Sequence, residues 1–247
     1  MRIAIISDIH GNNIAFETVL TDMQRQQFDQ IVCLGDAIQG GPQPAAVVQN
    51  LRALNCPVVM GNADAWLLSG VETADEGIPP ERLKKMGDIR VWSLSQLSED
   101  DRAFIAGFQP TVTLDLESDL DLLCFHGSPT SFDDIILPAA PQEEFQKFLG
   151  EYSDHILTGG HTHAQQIRRN GELFFFNPGS VGFAFSQYQP DGQFRADPWA
   201  EYAILNVGNG QTSLEFRRIP FDVNELIRVY RESGRPFADE AIAQYQR

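Results

Sequence analysis

The chain is short of basic residues and of cysteine, and both shortages exclude classes of protein. It has 18 Lys and Arg against 34 Asp and Glu among 247 residues, so its formal net charge is −16. A surface this acidic repels nucleic acid and anionic membranes, so we expect neither an extended nucleic acid nor a membrane as partner. The three cysteines form no Cys-x-x-Cys pair and accompany apolar runs, which favours buried, reduced thiols.

Long hydrophobic runs are also missing. No stretch approaches the ~18–20 apolar residues of a membrane span, and the first residues lack the shape of a signal peptide. We therefore predict a cytoplasmic protein. Hydrophobic residues make up 43% of the chain and charged residues 21%, which excludes a disordered or fibrous chain. The length fits one large domain.

Short apolar runs alternate with helical patterns near the start of the chain. Residues 3–6, 30–34 and 57–60 are typical of buried strands, whereas residues 12–27 and 45–54 have helical periodicity. Alternating strands and helices predict a parallel sheet with right-handed crossovers. Ligand sites in such sheets lie at the carboxyl ends of the strands. Those ends have the sequences SDIHGN, LGDAIQGG and MGNAD.

The rest of the chain adds helices and a second set of strands. Residues 70–108 are polar and mostly helical in pattern, and further strand patterns follow from residue 111 onwards. Internal repeats and low-complexity linkers are lacking. We therefore expect a single α/β domain over residues 1–247, with two packed sheets and a helical insertion at about 70–108.

Side chains that bind metals collect at the predicted strand ends. Four of the five histidines lie there, together with two aspartates and one asparagine: His10, His126, His161, His163, Asp8, Asp36 and Asn62. Imidazole, carboxylate and amide ligands suit Mn²⁺, Fe, Ni²⁺ or Zn²⁺ better than Ca²⁺. Seven ligands are too many for one tetrahedral zinc ion and suit two ions that share a carboxylate. A Gly-Asp or Gly-Asn dipeptide alone is commonly just a turn. The joint occurrence of these residues and the histidines after β runs predicts a metal site.

The motifs SDIHGN, LGD, GNAD, HGSP, GHTH and NPGSVG resemble those of calcineurin-like metallophosphoesterases. The likeness is greatest to the small bacterial and archaeal phosphodiesterase branch and covers residues 1–65 and 120–183. It implies an α/β fold that is a four-layer α/β/β/α sandwich with two mixed sheets. It also implies a site for two metal ions at the sheet edge.

The resemblance assigns each expected ligand to an ion. Two divalent ions are expected, Mn²⁺ before Fe, Ni, Zn or Mg, and a hydroxide that bridges them would be the nucleophile. Asp36 would bridge the ions as well. The first ion would be held by Asp8, His10, Asp36 and His163, and the second by Asp36, Asn62, His126 and His161.

The third motif departs from the family pattern. It reads Gly61-Asn62-Ala63-Asp64, whereas the family commonly has histidine after the asparagine, as the candidate for protonating the leaving group. Ala63 cannot transfer a proton, which favours substrates with good leaving groups, such as aryl or nucleotidyl phosphodiesters and phosphoanhydrides. Asn62 is expected to place the phosphate. Asp64 has two interpretations: a catalytic proton donor or supporting residue, and an N-cap of the next helix.

The leading hypothesis is a metal-dependent phosphodiesterase acting on a small phosphate ester, with nucleotides among the candidates. A phosphomonoesterase, a protein phosphatase and a dinucleoside polyphosphate hydrolase would share the same ligands. A protein-binding scaffold is the alternative of another class, because a fold does not fix a function. The complete ligand set favours a hydrolase of phosphoric esters. The sequence leaves a homo-oligomer open.

Three further segments carry less specific signals. The turn at residues 177–182 is interpreted as a scaffold loop beside the site. Residues 79–85 (PPERLKK) form the most basic cluster, either as a solvated helix face or as a lid that contacts substrate. Arg195 lies in the aromatic-rich stretch 183–200. It is interpreted either as a residue that contacts a phosphate or as one with a surface or packing role.

Overall fold

The computed structural model describes residues 1–71, 79–116, 120–152, 155–190, 192 and 194–246. The strands in these ranges are β1 (Arg2–Ile6), β2 (Gln30–Cys33), β3 (Val112–Asp115), β4 (Asp121–Cys124), β5 (Ile156–Thr158), β6 (Gln166–Asn170), β7 (Leu173–Asn177), β8 (Trp199–Gly208) and β9 (Gln211–Pro220). The helices are α1 (Asn13–Gln24), α2 (Pro44–Leu54), α3 (Asn62–Ser69), α4 (Pro80–Ser95), α5 (Glu99–Ala106), α6 (Gln142–Leu149), α7 (Val223–Ser233) and α8 (Ala238–Ala243).

The strands form two mixed sheets. The first has the order β2-β1-β8-β9, and the second has the order β3-β4-β5-β7-β6. In the first sheet β1 and β2 are parallel, whereas β8 and β9 run antiparallel to their neighbours. In the second sheet β4, β5 and β7 are parallel, and both edge strands are antiparallel. The parallel strands of each sheet therefore present their carboxyl ends at one edge.

Three apolar cores separate four layers, because alternate residues of a strand face opposite sides of its sheet. In β1, Ile3 and Ile5 pack between the sheets against Leu122 and Phe176. Ala4 and Ile6 face the other way and pack with α1 and α2. On the far side of the second sheet, α6 packs against β4, β5 and β7. This α/β/β/α arrangement confirms the expected fold.

The helix ends follow local sequence signals. The Asn12 side chain accepts a hydrogen bond from the Ala15 N–H at 3.1 Å and caps α1. Ser98 and Asp101 form a capping box that starts α5. Within the described ranges, no helix combines the length and the apolarity that crossing a bilayer requires.

Two predicted segments differ from expectation or extend beyond the described ranges. Residues 57–60 form only isolated bridges, Val58 to Cys33 and Val59 to Gln109, and not a full strand. Pro57 has no N–H for a ladder, and α3 begins directly afterwards. The helical insertion expected at about 70–108 includes α4 and α5, but its residues 72–78 lie outside the described residues. The single domain stays a prediction.

Candidate metal centre

The seven predicted ligands lie together at the edge where the parallel strands end. Asp8 and His10 follow β1, Asp36 follows β2, and Asn62 opens α3. The three remaining histidines follow β4 and β5. Their ligand atoms form two groups, each within 4.8 Å: Asp8 with His10 and His163, and Asp36 with His126 and His161.

Five of these residues have a left-handed backbone, which side chains other than glycine seldom adopt. The φ angles are 54° at Asp8, 48° at His10 and Asp36, 66° at His161 and 56° at His163. Each such residue costs about 1–3 kcal/mol and persists only where the surroundings enforce it. The Asp8 N–H donates to the Gly35 carbonyl at 3.0 Å, and the His10 N–H to the Asp36 carbonyl at 2.9 Å. The chain therefore maintains an unfavourable backbone conformation at the positions where the candidate ligands lie.

Backbone carbonyls orient three of the imidazoles. Nδ1 lies 2.9 Å from the Gln39 carbonyl in His10, 2.6 Å from the Phe183 carbonyl in His163 and 2.7 Å from the Leu34 carbonyl in His126. A carbonyl only accepts, so Nδ1 carries the hydrogen and Nε2 of a neutral ring keeps its lone pair. This arrangement is the usual one for a histidine that ligates a metal through Nε2.

Two observations show that this site fits a cation. The Nε2 atoms of His10 and His163 are 3.0 Å apart, so either a proton or a metal ion must lie between their lone pairs. Oδ1 of the buried Asp8 has no hydrogen-bond donor among the described residues, although it lies 3.2 Å from Nε2 of His163. Burying an unpartnered carboxylate oxygen is costly unless a cation binds it. A divalent ion would satisfy both.

The electrostatics of the second group also favour a cation. Burial would lower the pKa of His126, yet the Asp36 carboxylate outweighs it and raises the pKa to about 10. Burial likewise opposes ionisation of Asp36, but His126 holds the pKa of that carboxyl well below its usual range. The nearest contact between them is 3.4 Å, from Nε2 of His126 to Oδ2 of Asp36. A metal ion would compete with the proton for Nε2 of His126.

Asn62 and its neighbours complete the second group. Oδ1 of Asn62 lies 3.1 Å from Nε2 of His126 and 3.1 Å from Nδ1 of His161. The Ala63 N–H donates to Oδ1 of Asp36 at 2.8 Å and fixes that carboxylate. A Cβ at Gly61 would lie 2.1 Å from the same oxygen, so only glycine fits there.

Asp64 supports the site from behind. Its buried carboxylate accepts hydrogen bonds from the Ala37 N–H at 3.1 Å and the Ile38 N–H at 3.0 Å, so it braces the loop after Asp36. Burial and then the charge of Asp36 raise the pKa of Asp64 to about 7. The N-cap interpretation is wrong, because Gly61 is the N-cap of α3 and Asp64 lies in its first turn.

The turn at residues 177–182 lies against the first group. The Ser180 hydroxyl donates to the Asp8 carbonyl at 2.8 Å, and the Gly182 N–H donates to the same carbonyl at 3.0 Å. This agrees with a scaffold loop. Arg195 donates to the Gln246 carbonyl and so engages the C-terminal segment. His155 lies 3.6 Å from Asp121, at the opposite end of β5 from the ligands.

A cleft of about 520 Å³ opens above the two groups. Its floor consists of His10, Asp36, Asn62, His161 and His163. Its outer wall is formed by the lining residues of α4 and of residues 230–244: Arg82, Lys85, Met86, Ile89, Tyr230, Arg235, Phe237, Glu240, Ala241 and Gln244. From the basic segment 79–85, Arg82 and Lys85 line the cleft, and its role as a solvated face or as a lid that contacts substrate stays a prediction. Sequence reasoning missed the wall residues from 230 onwards, because they carry no motif.

A family model for the calcineurin-like phosphoesterase superfamily domain matches residues 1–208. The chain belongs to the calcineurin-like phosphoesterase superfamily. This confirms the resemblance drawn from the motifs, and it makes the protein a hydrolase of phosphoric esters in a metal-dependent family. The candidate ligand groups at the base of the cleft agree with that metal dependence.

Known proteins are similar to this chain over most of its length. The chain is 28% identical to the uncharacterized protein MJ0912 of Methanocaldococcus jannaschii, over 90% of this chain and 89% of that protein. It is 27% identical to phosphodiesterase YfcE of Escherichia coli K12, over 73% and 79%. The crystal structure of a metallophosphoesterase from Sphaerobacter thermophilus superposes with a TM-score of 0.73 at 25% identity, over 98% and 97%.

Proposed function

We propose that the protein is a phosphodiesterase that needs two divalent metal ions and acts on a small phosphate ester. The observation that carries this proposal is the pair of ligand groups at the base of one cleft, in which Nε2 atoms face each other and an Asp8 oxygen has no hydrogen-bond donor among the described residues. The volume of about 520 Å³ suits a small molecule. The name of YfcE, a phosphodiesterase, supports a diester as substrate.

Seven side chains would hold the ions. When bound, two such ions lower the pKa of a shared water and neutralise charge on the phosphoryl oxygens. Asp36 faces both groups and would bridge the ions, since Oδ2 lies 3.4 Å from His126 and 3.8 Å from His10. The first ion would take Asp8, His10, Asp36 and His163, and the second Asp36, Asn62, His126 and His161.

The site lacks a proton donor at the position where many family members have histidine. Ala63 borders the cleft with a methyl group, and the Asp64 carboxylate is engaged by two backbone N–H groups of the neighbouring loop. Asn62 lines the cleft, where its amide would position the phosphate. We therefore expect preference for diesters with leaving groups that depart without protonation, such as aryl or nucleotidyl groups.

The test compares two substrates on metal-stripped protein. Bis(p-nitrophenyl) phosphate and p-nitrophenyl phosphate would be assayed after separate addition of Mn²⁺, Fe²⁺, Ni²⁺, Zn²⁺ and Mg²⁺. We expect metal-restored cleavage of the diester well above that of the monoester, with Mn²⁺ most effective because nitrogen and oxygen ligands without thiolate suit it. Higher activity on the monoester would replace this proposal by a phosphatase. No turnover despite two bound ions would favour a protein-binding scaffold.

A matched pair of variants controls the metal assignment. His163→Gln removes a ring whose Nε2 is 3.0 Å from that of His10, so bound metal and activity should both fall. His155→Gln removes the histidine beside Asp121 and should leave both unchanged. Equal losses in the two variants would count against the site.

A further inference from the structure

Three cationic side chains line the outer wall, and two of them are engaged. Nε of Arg235 donates to the Gly40 carbonyl at 2.6 Å, and Nη1 donates to the Pro236 carbonyl at 2.9 Å. These bonds tie the chain after α7 to the loop that follows β2. Arg235 therefore has a structural task and little freedom to meet a ligand.

Lys85 is neutralised within the wall. Its Nζ lies 2.9 Å from Oε1 of Glu240 and 3.6 Å from Oε1 of Glu81. The ammonium also lies 5.4 Å from the centre of the Phe237 ring. Two carboxylates beside one ammonium leave no net positive charge for a substrate. The contact joins α4 to α8 across one side of the cleft.

Arg82 differs from both. It lies exposed in the first turn of α4 and borders the same cleft as the floor. Among the described residues no hydrogen bond or ion pair engages its guanidinium, which is always charged and offers five donors in a planar fork. In a chain of net charge −16, a guanidinium at the cleft that has no partner within the described ranges marks a local attraction for anions.

The cleft has room for more than the phosphate that is cleaved. Its volume of about 520 Å³ lies within the range of pockets that enclose a whole small molecule. Trp66 and the wall residue Phe237 add aromatic surface to the lining of the cleft. A substrate that reaches from the metal groups to α4 would place its distant end beside Arg82.

We infer that Arg82 determines specificity by binding a second anionic group, so that the preferred substrate is a phosphodiester carrying a further phosphate. This inference rests on the proposed function, because it takes the floor as the place of hydrolysis. Arg82 does not touch the reacting atoms in this arrangement. It acts on substrate affinity, through charge-assisted hydrogen bonds to the second phosphate.

Two chromogenic diesters that differ by one phosphate test the inference. Thymidine 5′-(p-nitrophenyl phosphate) and its 3′-phosphorylated form release the same leaving group. We expect the wild type to favour the 3′-phosphorylated diester about ten-fold in kcat/KM, mainly through KM. Arg82→Gln should abolish this preference while hydrolysis of the unphosphorylated diester is unchanged, and Arg82→Lys should keep part of it.

A surface control and a binding measurement complete the test. Arg169→Gln, at an exposed position of β6, should retain the wild-type preference. Calorimetry should show thymidine 3′,5′-bisphosphate binding about ten-fold tighter than thymidine 5′-monophosphate to wild type and equally to Arg82→Gln. A preference that survives in Arg82→Gln, or an equal loss on both diesters, would overturn the inference. Hydrolysis of neither diester, with the binding preference intact, would overturn the proposed function and support Arg82 as the anion site.

Discussion

The floor and the outer wall of the cleft are built in different ways. Floor residues follow strands or open α3, and backbone carbonyls orient the rings of His10 and His163. In the wall, α4 packs beside the C-terminal segment, and side chains join the two. Lys85 bonds Glu240, for example, although the two residues are 155 positions apart in the chain. In the floor Asp36 and His163 are buried and the other three residues are half-buried, whereas Arg82 on the wall is exposed.

We expect this difference to separate chemistry from selectivity. The family model matches residues 1–208, which include every floor residue and α4, whereas the wall segment 230–244 lies beyond that match. Shared chemistry requires ligands within a narrow range of positions, and short loops after strands supply that precision. We therefore expect floor variants to affect reaction and metal, and wall variants to affect which substrate is bound.

The largest effect is expected from Asp36→Asn on the floor. Asp36 would hold both ions, so its loss should reduce kcat/KM more than about 100-fold, beyond the about 10–100-fold typical of a residue that supports a ligand. Asp64→Asn, which alters only the brace of the loop after Asp36, should stay within that smaller range. Steady-state kinetics with metal analysis would measure both. Equal losses, or full activity of Asp36→Asn, would contradict the bridging role.

The second effect concerns glycines in the two regions. Gly61→Ala would place a Cβ 2.1 Å from Oδ1 of Asp36, so we expect about 2–3 kcal/mol of destabilisation. Gly87→Ala, in the interior of α4, meets no atom within 4 Å and should stabilise the protein by about 1 kcal/mol through helix propensity. Thermal unfolding would measure both, at about 2–4 °C per kcal/mol for a chain of this length. Similar shifts of the same sign would remove the contrast between floor and wall.

The sequence predicts the floor and leaves the wall unpredicted, for physical reasons. His10 and His163 belong to motifs that follow β runs, and the strand pattern places those motifs at one edge. Backbone φ angles and the carbonyl partners of the rings depend on packing between the two sheets, so motifs do not reveal them. Arg235 and Phe237 belong to the short connection between α7 and α8, which carries no motif. Their place at the cleft depends on docking against the Gly40 carbonyl, which lies far away in the chain.

The fold shows the same division. Ile3 and Ile5 belong to a continuous apolar run, which predicts a strand buried on both faces. The mixed second sheet is predicted only by the family resemblance, because local sequence patterns do not determine strand order. Residues 57–60 carry a strand pattern but form only isolated bridges, since Pro57 lacks an N–H and α3 begins after Gly61.

The smallest effect is expected where the floor meets the wall, at Ala63. This residue follows Asn62 and borders the cleft, so the imidazole of Ala63→His would face a bound leaving group. General acids typically accelerate a reaction 10²–10⁴-fold. An introduced imidazole without hydrogen bonds that orient it should accelerate hydrolysis about ten-fold. The gain should appear with poor leaving groups, such as alkyl diesters, and be absent with p-nitrophenyl esters, which depart unprotonated. Ala65→His, on the same helix but away from the cleft lining, is the control. An unchanged alkyl rate in Ala63→His would mean that protonation does not limit turnover or that this loop does not orient the imidazole, and the pH dependence of the alkyl rate would separate the two. In the first case the floor would already complete the reaction without an acid, and leaving-group preference would have to come from the wall.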